Sequence, residues 1–148
     1  MRAIRGVVVL AVLGAIVPAC AKQTVADRPE ARGPTRCSPP IEAPAGFELV
    51  ESLEDPYSDH VGVRVSLRDA DGDELHLFSG IPGEFGEGLP LDSNVTVGGV
   101  QGRLLGQDGV WVIAWTGDGP CGVKAILSNG LSRKDFLDVV EPGSIEPA

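Results

Sequence analysis

The chain has 148 residues with 12 basic and 21 acidic side chains, a formal net charge of −9. Such a surface repels phosphate backbones, and no basic patch or stripe interrupts it, which argues against nucleic acid as a partner. The length suits one small domain with a core of its own and a modest stability margin.

Taken in chain order, the first element is a targeting segment. Arg2 and Arg5 make a short basic start, and residues 6–17 follow with no charge at all. An uncharged run of that length suits the apolar part of a signal peptide and is too short for a bilayer, which needs about 20 apolar residues. Val17-Pro18-Ala19-Cys20 then resembles the lipobox of bacterial lipoproteins, with Val17 where that pattern usually has Leu and Pro18 where it prefers Ala or Ser. The resemblance implies that residues 1–19 are a lipoprotein signal peptide. It also implies that Cys20 carries a diacylglyceryl thioether and that the chain is held to the cell membrane by lipid on its extracytoplasmic face. An ordinary secretory signal cut near Ala19 or Ala21 is the other reading. Removing residues 1–19 takes away two arginines and no acid, leaving 10 basic and 21 acidic side chains and a net charge of −11.

Residues 20–44 read as a tether. Pro29, Pro34, Pro39, Pro40 and Pro44 stand among few large apolar residues, a composition that favours an extended path and cannot build a core. Once Cys20 is acylated, Cys37 and Cys121 remain, and outside the cytoplasm two remaining cysteines are most simply a disulfide. In the chain-entropy picture that bridge is worth about 4 kcal/mol. Two unpaired buried thiols are the alternative; a metal site is disfavoured because no histidine lies near either cysteine.

Residues 45–141 read as one globular domain and 142–148 as a disordered tail. A first strand is expected over 47–53. Over His60–Arg68, Val61, Val63, Val65 and Leu67 alternate with Gly62, Arg64, Ser66 and Arg68, the period of a half-buried strand. Asp69 to Asp73 turns the chain, and 74–80 returns as the second arm of a hairpin. Strands over 95–97 and 100–105 flank Gly98-Gly99, and Asp108-Gly109 turns into Val110–Thr116, where Trp111, Ile113 and Trp115 share a face. A last strand covers 121–127. Ser132 as N-cap, Asp135 three residues on, and Leu131 with Phe136 at the staple positions announce a helix; Phe136, Leu137 and Val140 give it an apolar stripe, and Pro142-Gly143 ends it. The expected fold is α+β: an antiparallel β-meander of about six or seven strands with one C-terminal helix packed on it.

The segment from Val63 to Val140 resembles domains of uncharacterised bacterial lipoproteins, through residues 79–88, Trp111 to Trp115 with Cys121, and Leu131-Ser132 to Phe136. It resembles less closely the extracytoplasmic domains of membrane-anchored regulators of the anti-sigma type. Neither resemblance implies a catalytic residue.

Candidate chemistry is sparse. Asp69-Ala70-Asp71-Gly72-Asp73-Glu74 has glycine and glutamate at the wrong positions for an EF-hand loop and reads as a turn. Gly83, Gly86 and Gly88 lack the lysine and hydroxyl of a phosphate loop, and Glu84 and Glu87 would repel a phosphate. Residues 81–94 read instead as a long loop with Phe85 at its tip. Phe85 with Glu84 and Glu87 is either a recognition tip or a ring tucked onto the sheet. Trp111 and Trp115 are either core or an aromatic ligand wall. His60 and His76 fall on adjacent strands, and Ser66 or Ser79 could complete a serine–histidine–acid set, but no nucleophile elbow is present. The expectation is a non-catalytic envelope module without metal or cofactor. Its recognition surface would comprise Glu84, Phe85, Glu87, Trp111 and Trp115, and it would bind an envelope protein or a small apolar ligand. A small extracytoplasmic hydrolase and a structural envelope component are the rival readings.

Overall fold

The computed structural model describes residues 33–140 and the backbone of residues 145–147. The signal segment, Cys20, the first part of the tether and the Pro142-Gly143 helix stop lie outside the described residues. Nine strands and one helix are present among the described residues. They are β1 (Thr35–Arg36), β2 (Glu48–Pro56), β3 (His60–Arg68), β4 (Glu74–Ser79), β5 (Leu91–Val97), β6 (Val100–Gln107), β7 (Val110–Thr116), β8 (Val123–Asn129), α1 (Arg133–Val139) and β9 (Ile145–Pro147).

All nine strands join one sheet, and its order corrects the expected simple meander. Along the sheet the strands run β2, β3, β4, β8, β7, β6, β5, β9, with β1 beside β3 on the flank that β4 also uses. β1 runs parallel to β3, so the sheet is mixed. Two antiparallel meanders, β2-β3-β4 and β5-β6-β7-β8, are joined where β8 pairs with β4. The link between them leaves β4 at Gly80 and must reach β5 on the far side of β8, β7 and β6. Four strand spacings amount to about 19 Å. That distance sets a minimum of about five residues for the 80–90 segment.

The turns behave as their residues require. Asp108 and Gly109 both have positive φ, 51° and 82°, the pairing that a two-residue hairpin turn needs, and β7 starts at once. Ser132 caps α1 by accepting from the Asp135 N–H at 3.1 Å, and the Ser132 hydroxyl donates to the Asp135 carboxylate at 2.6 Å.

One sheet face packs under the helix. Val65, Leu77, Ile126, Ile113 and Leu104 form a continuous cross-strand row over five strands, all of them buried. Phe136 and Val140 from α1 and Leu131 before it join this core. Complete burial of the Phe136 ring stabilises the domain by roughly 2–3 kcal/mol. The opposite face is crossed by the 80–90 link, whose Gly86 lies against Leu105 and Val112 and has φ +77°. With φ positive and the space above Leu105 that close, glycine is the residue that lets the link lie flat there.

Three boundaries differ from expectation. The domain begins before residue 45: Thr35 and Arg36 pair with His60 and Val61, Cys37 N–H donates to the Val61 carbonyl at 2.9 Å, and Ile41 packs on the core. β5 starts at Leu91 rather than near 95, which shortens the loop. Part of the expected disordered tail, Ile145–Pro147, pairs with Val95–Val97 of β5.

Candidate functional site

Cys37 and Cys121 are bonded, with their Cα atoms 5.5 Å apart. The bridge fastens the start of the domain to the β7–β8 turn. The proline-rich residues 39–43 then continue across the helix face and line a cavity of about 690 Å³ with Leu49, Val65, Leu67 and Leu77.

The more polar concavity lies on the opposite face. Here the cross-strand row reads Phe78, Ala125, Ala114, Arg103, Asn94. Ala114, next to Arg103 in this row, is small enough to leave a concavity there, and Ala125 beside it is fully buried. The 80–90 link walls one side of the concavity. Phe85 holds its ring 4.8 Å from that of Phe78, tilted by 41°. The resulting groove has a volume of about 530 Å³, within the range of small-ligand sites. Glu84 and Phe85 form one wall; Asn94, Gln101, Arg103 and Thr116 offer amide, guanidinium and hydroxyl groups from the sheet.

Charge pairing singles this groove out. Arg36, Arg64, Arg68, Arg133 and Lys134 each hold a carboxylate. Arg103 and Lys124, which both line the groove, make no ion pair among the described residues. In a chain of net charge −9, an arginine left without an acid at a concave site is a ready anchor for an anionic group.

Of the surface expected from sequence, Glu84, Phe85 and Trp115 reach this groove. Phe85 is not an exposed tip, because Phe78 gives it an aromatic partner and half-buries it. Glu87 is exposed outside the lining. Trp111 belongs to the helix face, packed on the core with Trp115, and its indole N–H is buried without a hydrogen-bond partner. Trp115 also lines a smaller helix-face cavity with Ile41, Val97 and Val140. The groove residues that sequence reasoning missed are Asn94, Gln101 and Arg103. Their signal was a polar face on the strand pair β5–β6, which reads equally well as solvent exposure.

Both histidines have side-chain partners. His60 is buried, with Nδ1 2.6 Å from the Asp59 carboxylate and Nε2 2.7 Å from the Gly80 carbonyl, and it stacks on Tyr57 at 4.7 Å. Both ring nitrogens face acceptors, so the doubly protonated ring satisfies both. The Asp59 hydrogen bond first and the Gly80 carbonyl second hold its pKa above the ordinary histidine value. His76 lies 3.0 Å from Ser66 Oγ and 3.4 Å from the Glu74 carboxylate, which has the order of a catalytic triad. These side chains stand on an extended sheet face, with Ser66 paired to both β2 and β4, and Arg68 claims the other Glu74 oxygen. The ladders take up the backbone N–H groups that an oxyanion hole would need.

No helix among the described residues is long and apolar enough to cross a membrane. Comparison of the chain with protein-family models, with curated proteins and with solved structures gives no match.

Proposed function

We propose that this chain is a lipid-anchored extracytoplasmic protein whose domain is a non-catalytic binding module, and that it holds a small anionic ligand in the groove between the 80–90 link and β5–β7. The observation that carries the binding half is Arg103, which makes no ion pair among the described residues and lines the groove that Glu84 and Phe85 wall. Arg103 and Lys124 outweigh Glu84 in the lining, and the guanidinium suits a carboxylate or phosphate held away from Glu84; Phe85 suits an apolar or ring portion; Asn94, Gln101 and Thr116 fix orientation. The lipid anchor rests on Val17-Pro18-Ala19-Cys20 after an uncharged run. Held this way, the groove would sample solutes at the membrane surface.

Two measurements test the halves separately. Cys20→Ser should move the protein from membranes to the soluble fraction; retention in carbonate would show another anchor. An amide-resolved NMR titration with benzoate, phenyl phosphate and uncharged benzamide should shift Asn94, Gln101 and Arg103 with the anions alone. Arg103→Ala should remove the shifts. Equal response to benzamide would defeat the anionic reading.

The serine–histidine–glutamate arrangement at Ser66, His76 and Glu74 supports a second reading, a hydrolase. Its test is loss of p-nitrophenyl acetate turnover in Ser66→Ala.

A further inference from the structure

The two margins of the sheet are treated differently. At one, β9 pairs with β5 along Val95–Val97. At the other, β2 pairs with β3 through one side only, and nothing among the described residues covers its outer side. β2 spans Glu48–Pro56, long for an edge strand, and carries exposed Leu49 (63%), Val50 (55%) and Leu53 (43%), with Tyr57 just beyond it. A long edge with apolar side chains and free backbone donors and acceptors is a template for another strand.

The charges on β2 determine what can dock. Glu48, Glu51, Glu54 and Asp55 lie on it, and no lysine, arginine or histidine does. Arg36 holds Glu54 at 2.5 Å and Arg64 holds Asp55 at 2.6 Å. Glu48 and Glu51 make no ion pair among the described residues. A second copy would bring four more carboxylates and no cation on its own β2 to the same margin, so self-pairing is electrostatically opposed. The register shift between Leu49 and Glu51 and the proline at position 56 further hinder it. The register shift and the proline restrict any added strand, whereas the charge repulsion acts against a like strand and not against one that carries basic side chains.

We infer that β2 is a docking edge for an extended segment of a partner protein in which lysine or arginine alternates with apolar residues. The added strand would pair with the open side of β2, set its cations against Glu48 and Glu51 on one face, and cover Leu49 with apolar side chains on the other. This surface is separate from the Arg103 groove, and neither reading depends on the other.

The test uses the full chain in detergent and two blocked peptides, one alternating lysine with valine and threonine, the other with glutamate in place of lysine. The lysine peptide should bind saturably, slow amide exchange along β2, and lose roughly tenfold in affinity when salt is raised from low to physiological strength. The glutamate peptide should not bind. The double variant Glu48→Lys with Glu51→Lys, which alters only exposed side chains, should reverse the preference. Equal binding of both peptides, or protection elsewhere than β2, would overturn the inference. So would peptide-independent, concentration-dependent protection of β2, which would assign the edge to a second copy.

Discussion

Phe85 reaches back from the link after β4 and lays its ring against Phe78, a residue of β4 itself, at 4.8 Å. The contact ties the wall of the groove to β4, so groove shape and link position are one structural variable. Phe85→Ala should therefore act on both. For a half-buried ring with one aromatic partner, the expected loss is about 1–2 kcal/mol of stability, measured by urea unfolding. Phe85→Leu should recover more than half of it.

A second expectation concerns the link as a span. Loop closure alone penalises loop length weakly, which would make residues 83–88 easy to shorten. The strand order sets the lower limit, because the link has to cross four spacings, about 19 Å. Replacing residues 81–89 with two glycines leaves a link that reaches at most about 18 Å between Ser79 and Leu91, and should abolish cooperative unfolding and near-ultraviolet dichroism. A variant that retained a sharp transition would show that β5 does not lie at the far side of β6.

The third concerns the bridge. Cys37 enters it directly after β1, and residues 39–43 cover one side of the helix face. Cys37→Ser with Cys121→Ser should lower stability by about 4 kcal/mol in the chain-entropy picture. It should also increase binding of a hydrophobic dye as the covering segment loosens. Intact-mass analysis of native, unreduced protein should show no alkylation at either position.

Acidity supplies the fourth. His60 has its pKa raised in the fold, through Asp59 first and the Gly80 carbonyl second. A raised histidine pKa contributes stability that is complete below the unfolded value, about 6.5, and is lost as pH rises through the folded value. Asp59→Asn should flatten that decline above neutral pH in thermal melts taken as a pH series. At the acid end, the Arg64 and Arg133 hydrogen bonds hold Asp55 and Asp92 below the usual carboxylate range. Their contribution is present above the unfolded value and is lost as pH falls through the depressed one. Asp73 runs the other way: burial first, then Asp69, Asp71 and Asp135, raise its pKa. Asp73→Asn should raise the melting temperature at pH 7 and lose that advantage in acid.

Strand identity was legible wherever alternation met a specific turn. β3 and β7 begin and end where the sequence pattern places them, because Asp and Gly turns bound a clean period of two. The start of β5 was not legible, since Leu91-Asp92-Ser93-Asn94 carries the polarity of a margin and its ladder shifts register there. Strand order was illegible for a different reason. A glycine-rich link of given length can close a neighbouring hairpin or cross several strands, and no local preference of Gly83 or Gly86 distinguishes the two. The groove suffered likewise. Its lining depends on Asn94, Arg103 and Ala114 arriving side by side beneath Glu84 and Phe85, and those residues come from three different strands and the link.

The position of β8 has a consequence in time. β4 and β7 each keep one side that only residues 123–129 can fill, and the cysteine partner of residue 37 arrives at 121. As the chain emerges from its N-terminus, two meanders can form early, yet they stay unjoined until nearly all of it is available. Long-range pairing of this kind slows folding and leaves strand edges open meanwhile. The chain therefore carries an incomplete sheet for most of its emergence, and the last strand before the helix joins the two meanders just after the second cysteine of the disulfide has arrived.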